Sequence, residues 1–382
     1  MRRVLAIAGG SSPFTAALVE ALRGIAPCEL RLHGRDMRAL ERMRRYAERR
    51  LQWPVLATTR LTEAVDGAEV VVNQIRFGGL EGRARDEELA WLWRLPADET
   101  LGPCGLSAAL RVAPPLRALA AELGRRCPDA WLLNLSNPLS ATTLAMIRAG
   151  APRNCVGLCE LPLVTVLEVC RAIGMSPADV EWDYAGLNHR GLIFSLRHKG
   201  EELIPRLPEL LEGQEVFGVR GADIEALGAL PLKYFRLGTQ PGRADFLRQL
   251  RERLASELET PNAPPPSLAR RSQPWYQAAV VPMIAAILAG DGHAVMVNCE
   301  RDGLVREVRA RVFRDRFEPV DVEPPPRLAG WLDRWGSHEK ALVDAVESPS
   351  LEGLERALTL DPLVPSGQAR EIARALWVEH AS

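Results

Sequence analysis

Two short stretches, thirty residues apart at their key positions, carry side chains that can do chemistry together. The first is Val156-Gly157-Leu158-Cys159-Glu160, and the second is Tyr184-Ala185-Gly186-Leu187-Asn188-His189. A thiolate and a neutral imidazole, completed by oxygen donors, suit a borderline divalent transition metal. Taken singly the residues are bland. A lone cysteine is most often a small buried hydrophobe, and a lone histidine at a strand edge is usually structural.

Other candidates lie along the chain. Residues 74–83 carry Arg76 and Arg83 among three glycines. An arginine fork there suits an anionic substrate group, because it binds phosphate or carboxylate with two parallel bonds; a solvated loop charge is the alternative. Asn134 and Asn137 stand in Asn-Leu-Ser-Asn-Pro. Carboxamides donate and accept, so they can hold sugar hydroxyls or a nicotinamide amide, and they equally form turns. Arg271 and Tyr276 precede a helical stretch; Tyr276 is one of four tyrosines and by itself reads as a packing residue.

These residues need elements to position them. Residues 4–8 form a continuous β-prone apolar run, as a buried parallel strand should. Gly9-Gly10-Ser11-Ser12 follows, and helical spacing begins at Phe14. Strand, glycine turn and helix make a cradle for a dinucleotide pyrophosphate. The third glycine of G-x-G-x-x-G is missing, so a plain tight turn is the alternative. A second strand, 29–33, ends on His33 where nicotinamide folds usually place a ribose-binding acid. Arg35 behind it either faces a 2′-phosphate or lies on the surface, which leaves NAD against NADP open. A helix over 38–51, strands over 56–60, 69–74 and 130–134, a helical turn at 64–68, a Gly/Pro loop at 99–105 and a helix over 106–125 complete this half.

In the second half, 164–173 reads as a helix and 180–184 as a strand. Residues 203–259 are helical, charged and leucine-rich, with Lys233-Tyr234-Phe235-Arg236 in the middle, and read as packing and subunit-contact surface. A proline-rich break covers 261–266. The helix over 277–288 contains Pro282, which should kink it. Residues 293–298 read as a strand with 298–303 as its exit turn, 324–326 as a connector, and 328–345, 351–358 and 367–377 as helices.

The chain of 382 residues is long enough for two domains. Apolar residues make up 47% and charged residues 25%, as in a globular protein with a real core. The net charge of −1 gives no basic footprint for nucleic acid. No apolar run is long enough to span a membrane, and residues 4–8 read as a strand rather than a signal peptide. Seven scattered cysteines point to free thiols in a reducing cytoplasm.

Motif by motif the chain resembles glycoside hydrolase family 4. Residues 71–83 look like the family's strand and Gly-Gly-Leu-Glu-x-Arg loop, Asn134 to Pro138 like its Asn-x-x-Asn-Pro, Val156 to Cys159 like its Val-Gly-Leu-Cys, and 183–189 like its Tyr-x-Gly-Leu-Asn-His. Arg271 to Tyr276 lies on its Arg-Gly-Gly-x-x-Tyr, with Ser272-Gln273-Pro274 departing from the small residues, and 357–365 resembles its ending. The resemblance implies an α/β fold: a Rossmann-like NAD-binding domain over 1–155, then a lactate/malate dehydrogenase-like α+β domain over 156–382 for metal, substrate and oligomerisation as a homodimer or homotetramer. It implies NAD held by Gly9, Gly10, Ser11, Ser12, Phe14, Arg35, Asn134 and Asn137. Mn²⁺ or another divalent metal would be held by Cys159 and His189, and a glycoside by Arg83, Asn137, Asn188 and Arg271. Arg83 matches a position that can meet a 6-phosphate, although non-phosphorylated and uronic acid glycosides also occur in the family. The implied reaction oxidises sugar C3 with NAD⁺, removes the C2 proton with Tyr276 as base, expels the aglycone, adds water and returns the hydride from NADH; this family is an exception to the two-carboxylate rule of glycosidases. Glu160 is the candidate acid for the leaving oxygen, provided burial raises its pKa against the metal's field. Two other classes compete: a sugar or hydroxy-acid dehydrogenase, which would release NADH, and a degenerate family member that binds without turnover.

Overall fold

The computed structural model describes residues 3–238, 240–260 and 263–380. The first two residues, and the start of the proline-rich break at 261–262, lie outside them. Six strands run parallel: β1 (Val4–Ala8), β2 (Glu29–His33), β3 (Val55–Thr58), β4 (Val70–Asn73), β5 (Trp131–Asn134) and β6 (Asn154–Gly157). Their spatial order, β3-β2-β1-β4-β5-β6, is that of a Rossmann fold. β1, β4 and β5 are near-continuous apolar runs covered on both faces, whereas β2 alternates and β3 at the edge is partly exposed. Leu5 and Ile7 face the helices Thr15–Leu22, Met37–Leu51 and Val281–Ala289. Val4, Ala6 and Val71 face the helix Gly102–Arg126.

Beyond β6 the chain departs from the sequence reading. A four-stranded sheet is built from β7 (Val180–Ala185), β8 (Leu192–His198), β9 (Glu201–Glu202) and β10 (Leu230–Pro231). It packs with the helix Leu161–Ala172 around Val166, Val169, Leu196 and Ile204. Then β11 (His293–Arg301), β12 (Leu304–Val312) and β13 (Phe317–Pro319) extend the first sheet antiparallel, to nine strands. The strand expected at 293–298 is therefore longer, and two strands follow where the sequence offered only an exit turn. The link between β6 and β11 is a single residue pair, Gly157 with Asn298. A Cβ at Gly157 would lie 2.8 Å from Thr143 Oγ1 and 3.1 Å from Asn298 Cβ, so only glycine allows this approach.

The segment 203–259 is more broken than its composition implies, with short helices Leu207–Leu210 and Gly221–Leu227 before the longer Arg243–Glu257. Pro282 lies in a helical run over 274–289, directly after a π-turn at Tyr276–Val280 that leads into the α-helix Val281–Ala289. The C-terminal helices Ala329–Glu347, Leu351–Leu360 and Ala369–His380 pack against Gly102–Arg126.

Candidate active site

The sheet order reverses between β1 and β4, and ligands of such folds bind outside the carboxyl ends of the strands at that point. Gly9 follows β1 there with φ +91°, and its backbone and that of Gly10 both donate to the His33 carbonyl, at 3.0 and 2.8 Å. A Cβ on Gly9 would lie 3.0 Å from the Gln74 carbonyl carbon, and one on Gly34 2.6 Å from Ser11 Oγ. The turn is thus a shallow cradle that side chains would fill, which fits a pyrophosphate. Ser12 Oγ accepts from the Phe14 amide, and Phe14 leads into Thr15–Leu22. Arg35 is exposed beyond β2.

Gln74, just past β4, ties this turn to a residue two hundred positions away. Its Nε2 donates to Thr15 Oγ1 at 2.8 Å, and its Oε1 accepts from the Tyr276 hydroxyl at 2.7 Å. Burial pushes the Tyr276 phenol up to about 12, with the Arg271 charge pulling it down. Arg271 lies over the rings of Phe14, at 5.0 Å, and Trp275, at 4.9 Å. Burial lowers its pKa to about 10, and its Nε has no partner.

Glu99 anchors a charged wall beside this group. It accepts from Arg76 Nη1 at 2.5 Å, from Arg83 Nη1 at 2.6 Å and from Asn137 Nδ2 at 3.2 Å. Burial alone would raise its carboxyl; Arg76 and Arg83 overcome that and hold it well below the usual range. Arg83 also donates through Nε to Glu87 at 2.7 Å. It stands on the helix Gly79–Leu92 rather than in the loop expected from its glycines. Arg243 and Arg271 share the field of Glu99.

On the far side lie the two motif loops. Cys159 and His189 are both buried. Burial, then the Glu160 and Glu307 charges, push the Cys159 thiol well above its usual value, while Asn188 offers it a hydrogen bond. His189 has φ +63° and stacks on Tyr234, with centroids 3.9 Å apart and planes 9° apart. Burial first, then Lys233 and Arg190, keep its imidazole neutral, and its Nδ1 has no partner. Tyr234 also feels the charges of Cys159 and Glu160. A soft sulfur, a neutral imidazole and an orphaned ring nitrogen fit a divalent transition ion. Among the described residues no three His, Cys, Asp or Glu side chains gather to hold an ion alone. Glu160 starts the helix Leu161–Ala172, and burial raises its carboxyl against the pull of Lys233.

The structure thus gathers Gly9, Tyr276 and Arg271 on one side, Cys159, Glu160, Asn188 and His189 on the other, and Arg83 and Asn137 around Glu99. It does not bring Asn134 to the cleft. Asn134 is 0% exposed; its Nδ2 donates to Thr142 and Thr143 at 3.0 Å each, and its Oδ1 accepts from Asn73 at 2.9 Å and from the Ser136 amide. No capacity is left for a nicotinamide. The segment around Lys233 and Tyr234, read as packing surface, instead supplies the platform under His189. Glu99 and Glu307 escaped the sequence reading. Glu307 is 0% exposed on β12 and accepts from Tyr184, from Asn298 at 3.0 Å and from Asn188 at 3.4 Å. Burial lifts it to about 7. Its only signal was a charge among inward-facing strand positions.

Comparison with known proteins bears on the fold and the family. The chain is 27% identical over 342 residues to the "Probable 6-phospho-beta-glucosidase" of Bacillus subtilis, covering 80% of this chain and 77% of that one. It superimposes on the Thermotoga maritima 6-phospho-beta glucosidase, solved with manganese, NAD⁺ and glucose-6-phosphate, with a TM-score of 0.87, 22% identity and coverage of 100% and 98%. Cryptosporidium parvum malate dehydrogenase shares the fold more distantly, with a TM-score of 0.60, 15% identity and coverage of 91% and 100%. Residues 3–175 match the sequence profile of the family 4 glycosyl hydrolases and residues 184–364 that of the family's C-terminal domain, so the chain belongs to family 4 of the glycosyl hydrolases.

Proposed function

We propose that this chain cleaves a 6-phosphorylated glycoside by oxidation, elimination and water addition, with NAD and a divalent metal such as Mn²⁺. The observation that carries the reading is the Tyr276 hydroxyl, 2.7 Å from Gln74 at the mouth of the nucleotide turn. A buried phenol held beside the place of a cofactor is what removal of a carbon-bound proton requires. The names of the similar proteins and the excess of guanidinium around Glu99 support a phosphorylated substrate.

When bound, NAD⁺ would supply the hydride acceptor for sugar C3 and, as NADH, return that hydride after water adds, and the metal would supply the Lewis acid for the C3 carbonyl. Tyr276 then removes the C2 proton, and Arg271 favours its ionised form. Glu160, whose carboxyl burial shifts upward, gives its proton to the leaving oxygen. Cys159 and His189 would hold the ion, and Gly9, Gly10, Ser11, Ser12, Phe14 and Arg35 the dinucleotide. Asn137, Asn188, Arg83 and Arg271 orient the sugar, with Arg83 turning from Glu99 to the phosphate. In this reading residues 1–155 serve the cofactor and 156–382 the metal, the substrate and a homodimeric or homotetrameric contact. Seven free cysteines, all buried, support a reducing cytoplasm as the place of work.

The test is a panel of nitrophenyl glycosides and 6-phosphoglycosides with NAD⁺ and Mn²⁺ under reducing conditions. Release from a 6-phosphoglycoside with solvent deuterium at C2 of the sugar is expected. Stoichiometric NADH would favour a dehydrogenase, and turnover that survives removal of both cofactor and metal would sink the mechanism.

A further inference from the structure

His189 occupies the left-handed backbone region, with φ +63°, which residues with a Cβ adopt uncommonly. Both chain neighbours are gripped from other elements. On one side Asn188 donates to Glu307 on β12. On the other side Arg190 is gripped twice by one helix. Its carbonyl accepts from Trp331 Nε1 at 2.8 Å, and its guanidinium lies 3.7 Å from the centroid of the Trp335 ring. Trp331 and Trp335 are one turn apart on Ala329–Glu347, with ring centroids 5.9 Å apart. On the same helix His338 Nε2 lies 3.3 Å from Asp361 Oδ2.

Arg190 is an expensive residue for simple packing. It is 7% exposed, and its Nε and Nη2 have no hydrogen-bond partner. A buried guanidinium in that state is poorly compensated by charge alone, and an apolar side chain would fill the space at less cost. The indole face is the contact that orients it. Gly191 beyond it has no room for a side chain against Tyr184, so the loop cannot relax in that direction.

We propose that Trp331 and Trp335 are positioning residues that act through Arg190 to aim the His189 imidazole at the metal. The C-terminal helix then sets how tightly the divalent ion is held, although it touches neither ion nor sugar. This rests on the reading of Cys159 and His189 as the metal ligands. Partners that orient a ligating histidine are typically worth about 10–100-fold in metal affinity.

The experiment is calorimetric titration of the full chain with MnCl₂ under anaerobic reducing conditions, with NAD⁺ affinity measured on the same samples. Trp331→Phe, which removes one N–H and keeps the ring, and Arg190→Met are each expected to weaken Mn²⁺ binding at least tenfold and leave NAD⁺ affinity within twofold. Arg190→Lys should recover part of the loss, because a cation returns to the Trp335 face. Equal Mn²⁺ affinity in wild type, Trp331→Phe and Arg190→Met overturns the proposal, as does a parallel loss of NAD⁺ binding, which marks general disruption. A folded wild type that binds no Mn²⁺, or a His189→Ala variant that binds it as well as wild type, removes the ligand reading and the proposal with it.

Discussion

The polar seam at the ends of β4 and β5 and the loop around His189 are both buried, and they solve burial in opposite ways. In the seam Asn73, Asn134, Ser136, Thr142 and Thr143 satisfy one another, and the Asn134 carboxamide uses donors and acceptor alike. Around the loop, His189 Nδ1, Asn188 Oδ1, Asn298 Oδ1 and two nitrogens of Arg190 have no partner. Native interiors seldom leave such atoms unmatched without cause. A closed network has no bonding capacity to spare, whereas an open one keeps donors and acceptors free. Sequence gives asparagine equal promise in both places; only the hydrogen-bond accounting separates them.

The contrast can be broken by substitution. Tyr276→Phe should have the largest effect, a fall of about 10²–10⁴-fold in turnover, with NAD⁺ affinity retained in a fluorescence titration. Because the phenol sits near 12, activity should climb as pH rises through neutrality, for the ionised fraction grows with pH. Arg271→Met, which removes the cation that lowers that pKa, should move the rising limb of the pH–rate profile to higher pH. On the open side, Cys159→Ser should abolish chelator-sensitive activity and shift the melting temperature little. In the closed seam Asn134→Ala should do the reverse. It strands several buried partners and should cost about 2–4 kcal/mol of stability, read by chemical denaturation, while the folded fraction keeps its kcat. An Asn134→Ala enzyme that is stable but inactive would collapse the contrast. Glu160→Gln should act more selectively, about 10–100-fold on alkyl glycosides and much less on nitrophenyl ones, whose leaving groups need no proton. Arg35→Ala should have the smallest effect, a few-fold change in NAD against NADP preference, since the side chain is exposed.

What the sequence disclosed follows from where the signal lies. The parallel half was legible because strands covered on both faces are apolar runs, and Gly9-Gly10 marks the turn. The motifs at Cys159 and His189 were legible as local strings. β12 was not, because Arg306, Glu307, Arg309 and Arg311 interrupt its apolar pattern. The helix that carries Arg83 begins Gly-Leu-Glu-Gly, and its glycines mimic a loop. Tyr234 sits in a three-residue turn within a segment dominated by leucine and charge. Trp331 and Trp335 lie about 140 residues from the loop they grip, and no local pattern encodes that meeting.

Gly157 joins the parallel and antiparallel parts of the nine-stranded sheet at one pair, and this makes it a fulcrum. A methyl group there would press on Thr143 and Leu139 and drive Asn298 outward. Asn298 shares Glu307 with Asn188, so the push would travel along that carboxylate to the histidine loop. The same methyl would lift the backbone two residues before Cys159. A single added carbon would thus disturb the Cys159 strand end and the His189 loop together, so the placement of both segments is metered by the absence of a side chain.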